Sequence, residues 1–400
     1  MAGKVRNPGA LKGAHGSLYQ AIGGTDTCRK LAAAFYARVA QDPLLRPLFP
    51  GKTFKCAIEE FSAFLAQFLG GPSEDAQRRW WLSLRESHLR FKIGQKERDA
   101  WMKNMVNALD DVQIAGPARS ALRGFFERSS AYVVNHGAAR PVAEGRSEPP
   151  GGSIHQEIAR RWDVQRALDE AVAAVRNGDA KGAITLAESA TLQTCFRRDR
   201  SIFAALLALM IGSGQPETLE YVRDKLRRDP ILARERYSGR TLLHGASAAG
   251  NLNTVELLLR LGADPNVTDA GGHTPLYSVG NECTVESGGN VVRALVQGGA
   301  NVDARDGVKH CTALHMAARR GNVEVAEALL ECGADIEARD SLGDTPLRRS
   351  VNCGKTGVAS LLLSRGADLD SKGSKGLTPL LAARSSAMKR ILQSSSRSGS

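Results

Sequence analysis

Apolar residues in the first third of the chain recur with helical spacing. One run repeats at intervals of three and four residues and therefore lines one face of a helix: Ala57, Phe61, Phe64, Leu65 and Phe68. Two glycines and a proline follow directly and predict its end. Three other segments have comparable spacing: 27–39, 95–109 and 118–134. Because no alternating strand pattern interrupts them, residues 15–137 are predicted to form an all-α domain.

The polar and apolar pattern of the second half repeats itself. A tetrapeptide beginning with threonine recurs at spacings of 33, 38, 33 and 33 residues, starting at Thr241, Thr274, Thr312, Thr345 and Thr378. A Gly-Ala-Asp or Gly-Ala-Asn marker keeps the same period, and helical apolar runs lie between the two. Five residues are additional in the second interval. Four of them fall near 280–289 and are expected to lengthen the join between two helices.

This half resembles ankyrin repeats, whose signature is a 33-residue period with Thr-Pro-Leu-His. The resemblance covers residues from about 200 to 392 and implies an α-solenoid that binds a protein partner. Residues 239–392 are predicted as the repeats, and 154–238 as a helical capping region with degenerate repeats. His244 and His315 are expected to bond backbone groups of neighbouring repeats rather than a metal.

The two halves are separated by a stretch rich in Gly, Pro, Ala and Ser, which predicts a flexible linker over residues 138–153. Residues 1–16 form a basic N-terminal extension without the apolar core of a secretory signal. At the other end, residues 393–400 are polar and are predicted to be a disordered tail.

Composition sharpens the contrast between the halves. Of 21 aromatic residues, 15 lie in residues 1–136, which indicates two different kinds of core. The longest apolar run has nine residues, far short of the ~20 that cross a bilayer, so no membrane association is expected. Seven scattered cysteines without a CxxC motif favour reduced thiols in the cytoplasm. The net charge is +12, but no run of basic residues is longer than three. A nucleic-acid partner is therefore not expected either.

Candidate chemistry in the first half centres on one histidine. His15 lies in the irregular start and His136 borders the linker, whereas His88 lies within the helical pattern. A lone histidine in a helical domain is more often a surface or core residue than a metal ligand, and the pattern alone leaves that alternative open.

The residues around His88 resemble those of a truncated haemoglobin of the second group, over residues 17–137. The resemblance is carried, in order, by five stretches: Leu18–Gly24, Phe35-Tyr36, Asp42–Pro50, Phe64–Pro72 and Ile93–Trp101. It implies a 2-on-2 helical sandwich that binds haem b, with His88 as the iron ligand. Residues 79–82 depart from the pattern of many members before the proximal helix, which puts the local conformation there in question.

The resemblance also implies roles for other residues. Tyr36 and Trp101 match the distal donors to a bound diatomic ligand, and Ala57 stands where vertebrate globins have a distal histidine. Phe49 matches the corner residue that clamps the haem face. The remaining matches are expected to wall the macrocycle: Phe61, Phe64, Leu65 and Phe91. Arg90 or Lys92 is expected to pair with a haem propionate, with an exposed cation as the equal alternative. For Phe68, Phe125 and Phe126 plain core packing is favoured.

These features predict a haem protein that reversibly binds O2, NO or CO, for transport or sensing, tethered to an ankyrin interaction module. Two alternatives stay open. One is a redox enzyme, an NO dioxygenase or a peroxidase, which would need an external reductase because no flavin or nicotinamide domain is evident. The other is an interaction scaffold whose globin is vestigial.

Overall fold

The computed structural model describes residues 18–49, 51–71, 84–137 and 153–397. The chain divides into two compact units, Met1–Asp169 and Glu170–Ser400. Both are helical in their described parts, and no described helix is long and apolar enough to cross a membrane. The N-terminal extension, the departing segment 79–82 and most of the predicted linker lie outside the described residues.

Within its described residues the first unit has six helices and the beginning of a seventh: α1 Leu18–Ala21, α2 Gly24–Val39, α3 Lys55–Phe68, α4 Leu84–His88, α5 Gln95–Asp111, α6 Gly116–Tyr132 and α7 Ser153–Arg176. A short 3₁₀ turn, Arg46–Leu48, lies between α2 and α3. The predicted apolar face 57–68 lies on α3, which ends at Phe68 before Gly70 takes a φ of 95°. That left-handed conformation favours glycine, so the paired glycines end the helix as the pattern predicts.

Aromatic rings fill the core of the first unit. Phe68 and Phe125 stack with their ring centroids 4.0 Å apart, and Phe126 lies beside Phe125 at 5.2 Å. All three are buried, as expected for core packing. Removing an aromatic ring from such a core typically costs 3–5 kcal/mol, so these rings stabilise the frame that holds the site.

The start of α7 belongs to the first unit. Ile158 is buried in the same core, and the Trp162 ring lies 5.9 Å from Phe125 and 5.5 Å from Tyr132. The sequence pattern predicts that the capping region begins at residue 154, whereas residues 154–169 belong to the first unit. Ile158, Trp162, Gln165 and Asp169 have helical spacing and form a buried face, which explains why this segment packs there.

The second unit contains the end of α7 and then paired helices. The helices that precede the repeats are α8 Ala180–Ala187, α9 Ala190–Arg198, α10 Arg200–Ser213 and α11 Pro216–Arg228. The pair α10 and α11 corresponds to the predicted degenerate repeat. A 3₁₀ turn, Pro230–Arg234, leads into an antiparallel ribbon in which β1 (Arg236–Tyr237) pairs with β2 (Arg240–Thr241).

The repeats themselves are five helix pairs: α12 Leu242–Ala248, α13 Leu252–Arg260, α14 Pro275–Glu282, α15 Gly288–Gln297, α16 Ala313–Arg320, α17 Val323–Glu331, α18 Pro346–Asn352, α19 Thr356–Ser364, α20 Pro379–Ala382 and α21 Ser386–Arg397. A 3₁₀ turn, Ser374–Gly376, precedes α20. The join between α14 and α15 is longer than that between α16 and α17, as the additional residues predict. Helix α21 continues to Arg397, into the segment 393–400 that was predicted to be disordered.

Capping residues explain the periodicity. The side chain of Thr312 accepts a hydrogen bond from the backbone of His315 and caps α16. His315 Nε2 in turn lies 3.0 Å from the carbonyl oxygen of Asp344 in the next repeat. His244 bridges to the carbonyl oxygen of His273 at the same distance. Both histidines are fully buried, so their expected structural role is confirmed.

Candidate functional site

Tyr36 lies on the buried face of α2, enclosed by aromatic rings. The Phe54 ring stacks on it at 5.3 Å, while Phe49 and Phe35 meet it edge-on at 5.5 and 5.1 Å. Burial raises the pKa of its phenol far above the ordinary range, and the nearby Glu60 carboxylate adds to this. The hydroxyl therefore keeps its proton and can act as a hydrogen-bond donor.

Trp101 lies on α5 and is half-buried. Its ring lies 5.1 Å from Phe35, which also contacts Tyr36, and 5.6 Å from Phe126. One ring therefore supports both predicted donors. The structure brings Tyr36 and Trp101 into the same aromatic cluster, with Phe35 between them.

Phe61 lies near the centre of this cluster. Its ring lies 6.3 Å from Tyr36 and 6.4 Å from Phe64, to which it is nearly parallel. Leu65 is fully buried one turn along α3, and Ala57, one turn before Phe61, is half-buried. Helix α3 thus carries Ala57 together with the three predicted wall residues, and its Phe61 ring packs against the Tyr36 side chain.

Neighbouring aromatic rings connect Tyr36 with His88. Phe49 lies 6.0 Å from Phe91, and Phe91 lies 6.4 Å from the His88 imidazole. Arg90 is exposed and holds its guanidinium 4.7 Å from the centre of the Phe91 ring. Lys92 is also exposed. The predicted clamp, wall and propionate partners therefore lie together on the side of the unit that carries His88.

His88 is the last residue of α4. Its Nδ1 lies 2.7 Å from the carbonyl oxygen of Leu84 and 3.1 Å from the Ser87 hydroxyl. A carbonyl oxygen only accepts, so Nδ1 carries the ring proton and the lone pair of the neutral imidazole is on Nε2. Burial lowers the pKa of His88. The imidazole is therefore neutral at pH 7, the form that ligates metals.

Asn135 also belongs to this region, although no sequence pattern predicts it. Its amide nitrogen donates to the carbonyl oxygens of His88, at 3.1 Å, and Phe91, at 2.8 Å. Its amide oxygen accepts from the backbone nitrogen of Ile93 at 3.0 Å. Three hydrogen bonds from one side chain thus hold the turn that follows His88. No local pattern marks this residue, because its partners lie 42 to 47 positions away.

The described residues contain no group of three or more His, Cys, Asp and Glu side chains that would hold a metal ion. A metal at His88 would therefore need its other ligands from the group that carries it. The seven cysteines all lie in the described part of the chain and form no disulfide there.

Comparisons with known proteins agree with these units. The bacterial-like globin family matches residues 17–135, and ankyrin repeats match 243–340 and 282–373. The group 2 truncated hemoglobin YjbI of Bacillus subtilis is 37% identical over 129 residues, 32% of this chain and 93% of that protein. Two-on-two hemoglobin-3 of Arabidopsis thaliana is 29% identical over 114 residues, 28% of this chain and 65% of that protein.

For the repeats, the human ankyrin repeat and SOCS box protein 16 is 36% identical over 112 residues, which is 24% of its length. The first unit is a globin, as its helices, its aromatic core and the histidine at the end of α4 indicate. The second unit is built from repeats. The chain belongs to the family of bacterial-like, group 2 truncated globins through residues 17–135, and it carries ankyrin repeats at 243–373.

Proposed function

We propose that the first unit binds haem b through His88 and reversibly holds O2 or another diatomic ligand beside Tyr36 and Trp101. The observation that carries this proposal is the hydrogen bond from His88 Nδ1 to the Leu84 carbonyl oxygen, at 2.7 Å. It fixes the ring proton on Nδ1 and so leaves the lone pair of the neutral imidazole on Nε2. A histidine ligand whose other nitrogen is bonded in this way is the common arrangement in metal sites.

The donor set fits haem. The macrocycle is flat and apolar, and the rings of Phe49, Phe61 and Phe91 supply apolar surface between the two sides of the proposed site. Arg90 and Lys92 are exposed cations on the His88 side, suitable for the two propionates. With haem bound, iron supplies an open sixth position for a diatomic ligand.

The chain's own residues would then stabilise that ligand. Bound O2 takes up negative charge, and a protonated phenol in an apolar site is an effective donor to it. Among the described residues no side chain or backbone group bonds the Tyr36 hydroxyl, so this donor is not already engaged by them. The indole N–H of Trp101 would be the second donor.

Oxygen equilibration tests reversible binding. The purified full chain, loaded with haem b and reduced, is exposed to O2 and then returned to an anaerobic atmosphere. We expect the oxygenated spectrum to form and then to revert fully to the ferrous spectrum. Irreversible conversion to the ferric form in a single exposure would contradict a carrier or sensor.

A redox enzyme is the second candidate, favoured by the same two distal donors. It would convert NO and O2 to nitrate, or turn over peroxide, with electrons from an external reductase. Measuring NO consumption by the oxygenated protein with and without a ferredoxin or flavodoxin reductase separates the two functions. Sustained turnover at many NO per haem would favour the enzyme.

The repeats are proposed to bind a protein partner in the cytoplasm. A sensor requires that the haem state changes partner affinity. Affinity for a captured partner would be compared between ferrous, O2-bound and haem-free protein. Equal affinities in the three states would contradict a sensor. They would favour repeats that only hold the globin near a partner protein.

A further inference from the structure

A buried carboxylate lies on the far side of the peptide that His88 contacts. Asp169, on α7, is 2% exposed. Its two oxygens accept hydrogen bonds from the backbone nitrogens of Leu84, at 2.8 Å, and Arg85, at 3.3 Å. It lies outside residues 17–135, the part that matches the globin family, so it is a feature of this chain rather than of that match.

The contacts of Asp169 and His88 converge on one peptide group. The carbonyl of Leu84 and the N–H of Arg85 belong to the same amide. Its N–H donates to Asp169, and its oxygen accepts from His88 Nδ1 at 2.7 Å. A single peptide therefore connects the carboxylate to the imidazole.

Hydrogen bonds in such a chain strengthen one another. An anionic acceptor on the N–H draws electron density toward the carbonyl oxygen of the same amide, which makes that oxygen a better acceptor. A stronger acceptor at Nδ1 raises the basicity of Nε2, as a hydrogen-bonded carboxylate or carbonyl does for other metal-binding histidines.

The surroundings hold Asp169 in this place. Gln165, one turn earlier on α7, donates to Asp169 at 3.0 Å, and the Tyr132 hydroxyl also bonds the carboxylate. Trp162 packs edge-on against Tyr132 and anchors the helix in the core. A buried carboxylate is costly unless its oxygens are bonded. Burial raises the pKa of Asp169 to about 6, and these hydrogen bonds offset part of that rise, so the carboxylate is the main form at pH 7. The carboxylate is thus fixed by residues of two helices and by the backbone of a third element.

We propose that Asp169 is a positioning residue that tunes His88 through the Leu84–Arg85 peptide, a role that rests on the proposed haem ligation. It holds the first turn of α4 in place and strengthens the donor character of Nε2. Stronger donation favours the ferric state of a haem iron. The helix that follows the globin match would therefore set the reduction potential of the globin.

Resonance Raman spectra of the ferrous, haem-loaded full chain test the proposal. Asp169→Asn removes the charge with little change of shape, and Asp163→Asn, at an exposed carboxylate on the same helix, is the matched control. We expect Asp169→Asn to lower the iron–histidine stretching frequency and to shift the ferric-to-ferrous ratio at fixed potential about tenfold toward ferrous, ~59 mV for one electron. Asp163→Asn should change neither quantity.

The outcomes separate this proposal from haem binding itself. A wild-type protein without haem would contradict the proposed function. A wild type with a normal iron–histidine band that Asp169→Asn leaves unchanged would contradict only the role of Asp169.

If Asp169→Asn does not fold, hydrogen exchange at the Arg85 backbone amide of the wild type tests the proposal instead. The Arg85 amide should then be protected against exchange, because it donates to a buried carboxylate. Exchange at the rate of a free peptide would overturn the proposal.

Discussion

The side-chain amide of Asn135 bonds the carbonyl oxygen of His88 at 3.1 Å, across 47 residues of sequence. The same side chain bonds Phe91 and Ile93, so it closes the turn on which the proposed iron ligand sits. The end of α6 and the end of α4 are thereby held together next to the site.

Replacing Asn135 should loosen this turn. Asn135→Ala leaves three half-buried backbone groups without their partner, and each such loss costs about 1–3 kcal/mol. We expect a lower thermal midpoint of the first unit and faster haem loss to an acceptor protein. Asn107→Ala on α5 is the control, because the Asn107 side chain makes no hydrogen bond within the described structure. Equal haem loss in the two variants would show that the turn does not matter for retention.

The distal role of Tyr36 predicts a ligand-selective effect. Tyr36→Phe keeps the ring packing against Phe54 but removes the donor, so O2 should dissociate about tenfold faster, the equivalent of ~1.4 kcal/mol. CO takes up less negative charge, so its dissociation should change less. Stopped-flow ligand replacement measures both rates. The donor assignment fails if O2 leaves both proteins at the same rate.

Buried His244 predicts how pH acts on the repeats. Burial lowers its pKa from 6.5 to about 4. Between pH 6.5 and about pH 4, His244 is therefore protonated in the unfolded chain but neutral in the folded repeats. Protonation stabilises the unfolded chain, so the free energy of unfolding should fall by about 3 kcal/mol over that interval. Thermal melts between pH 7 and 4 would show this loss, and His244→Asn should reduce the slope. His310→Asn, at an exposed histidine of the same repeats, is the matched control, and a His244→Asn slope equal to that of the wild type would contradict the role of His244.

Arg348 replaces the histidine of the repeat tetrapeptide and takes over its bond. Its guanidinium is 3% exposed and donates to the carbonyl oxygen of Thr378 in the next repeat at 2.7 Å. Arg348→Ala removes the donor to that carbonyl and the cation beside the Asp344 carboxylate. The substitution should lower the free energy of unfolding by about 3 kcal/mol. Arg348→His should cost less, since His315 makes the equivalent bond. Urea denaturation followed by circular dichroism measures the stability of both variants. A histidine variant as unstable as the alanine variant would contradict the proposed role of Arg348.

The repeat half was predictable because its signals are local. The Thr cap, the Gly at the end of the second helix and the bridging histidine recur in phase, and each acts within its own repeat or on the next one. The longer join after α14 followed from counting residues. Arg348 fills the bridging position without resembling histidine, so the tetrapeptide alone did not reveal its role.

The first unit was predictable in its helices but not in its long-range bonds. The positions of Tyr36 and His88 followed from resemblance, and the ring spacing identified α3. Asn135 and Asp169 act on backbone groups 47 and 84 to 85 positions away, and a single sequence holds no signal for such a pairing. The start of α7 was assigned to the second half because a linker precedes it, although Ile158 and Trp162 complete the core of the first unit.

The central claim, that His88 holds haem, is tested most directly by the absorption spectrum of the ferrous–CO complex. Wild type, His88→Ala and the exposed-histidine control His136→Ala would be purified in the same way and their haem content measured per chain. The account predicts one haem and an intense Soret band for the wild type and His136→Ala. It also predicts loss of haem in His88→Ala, with recovery of the band when free imidazole is added. A wild type without haem, or a His88→Ala protein that binds haem as tightly as the wild type, would contradict it.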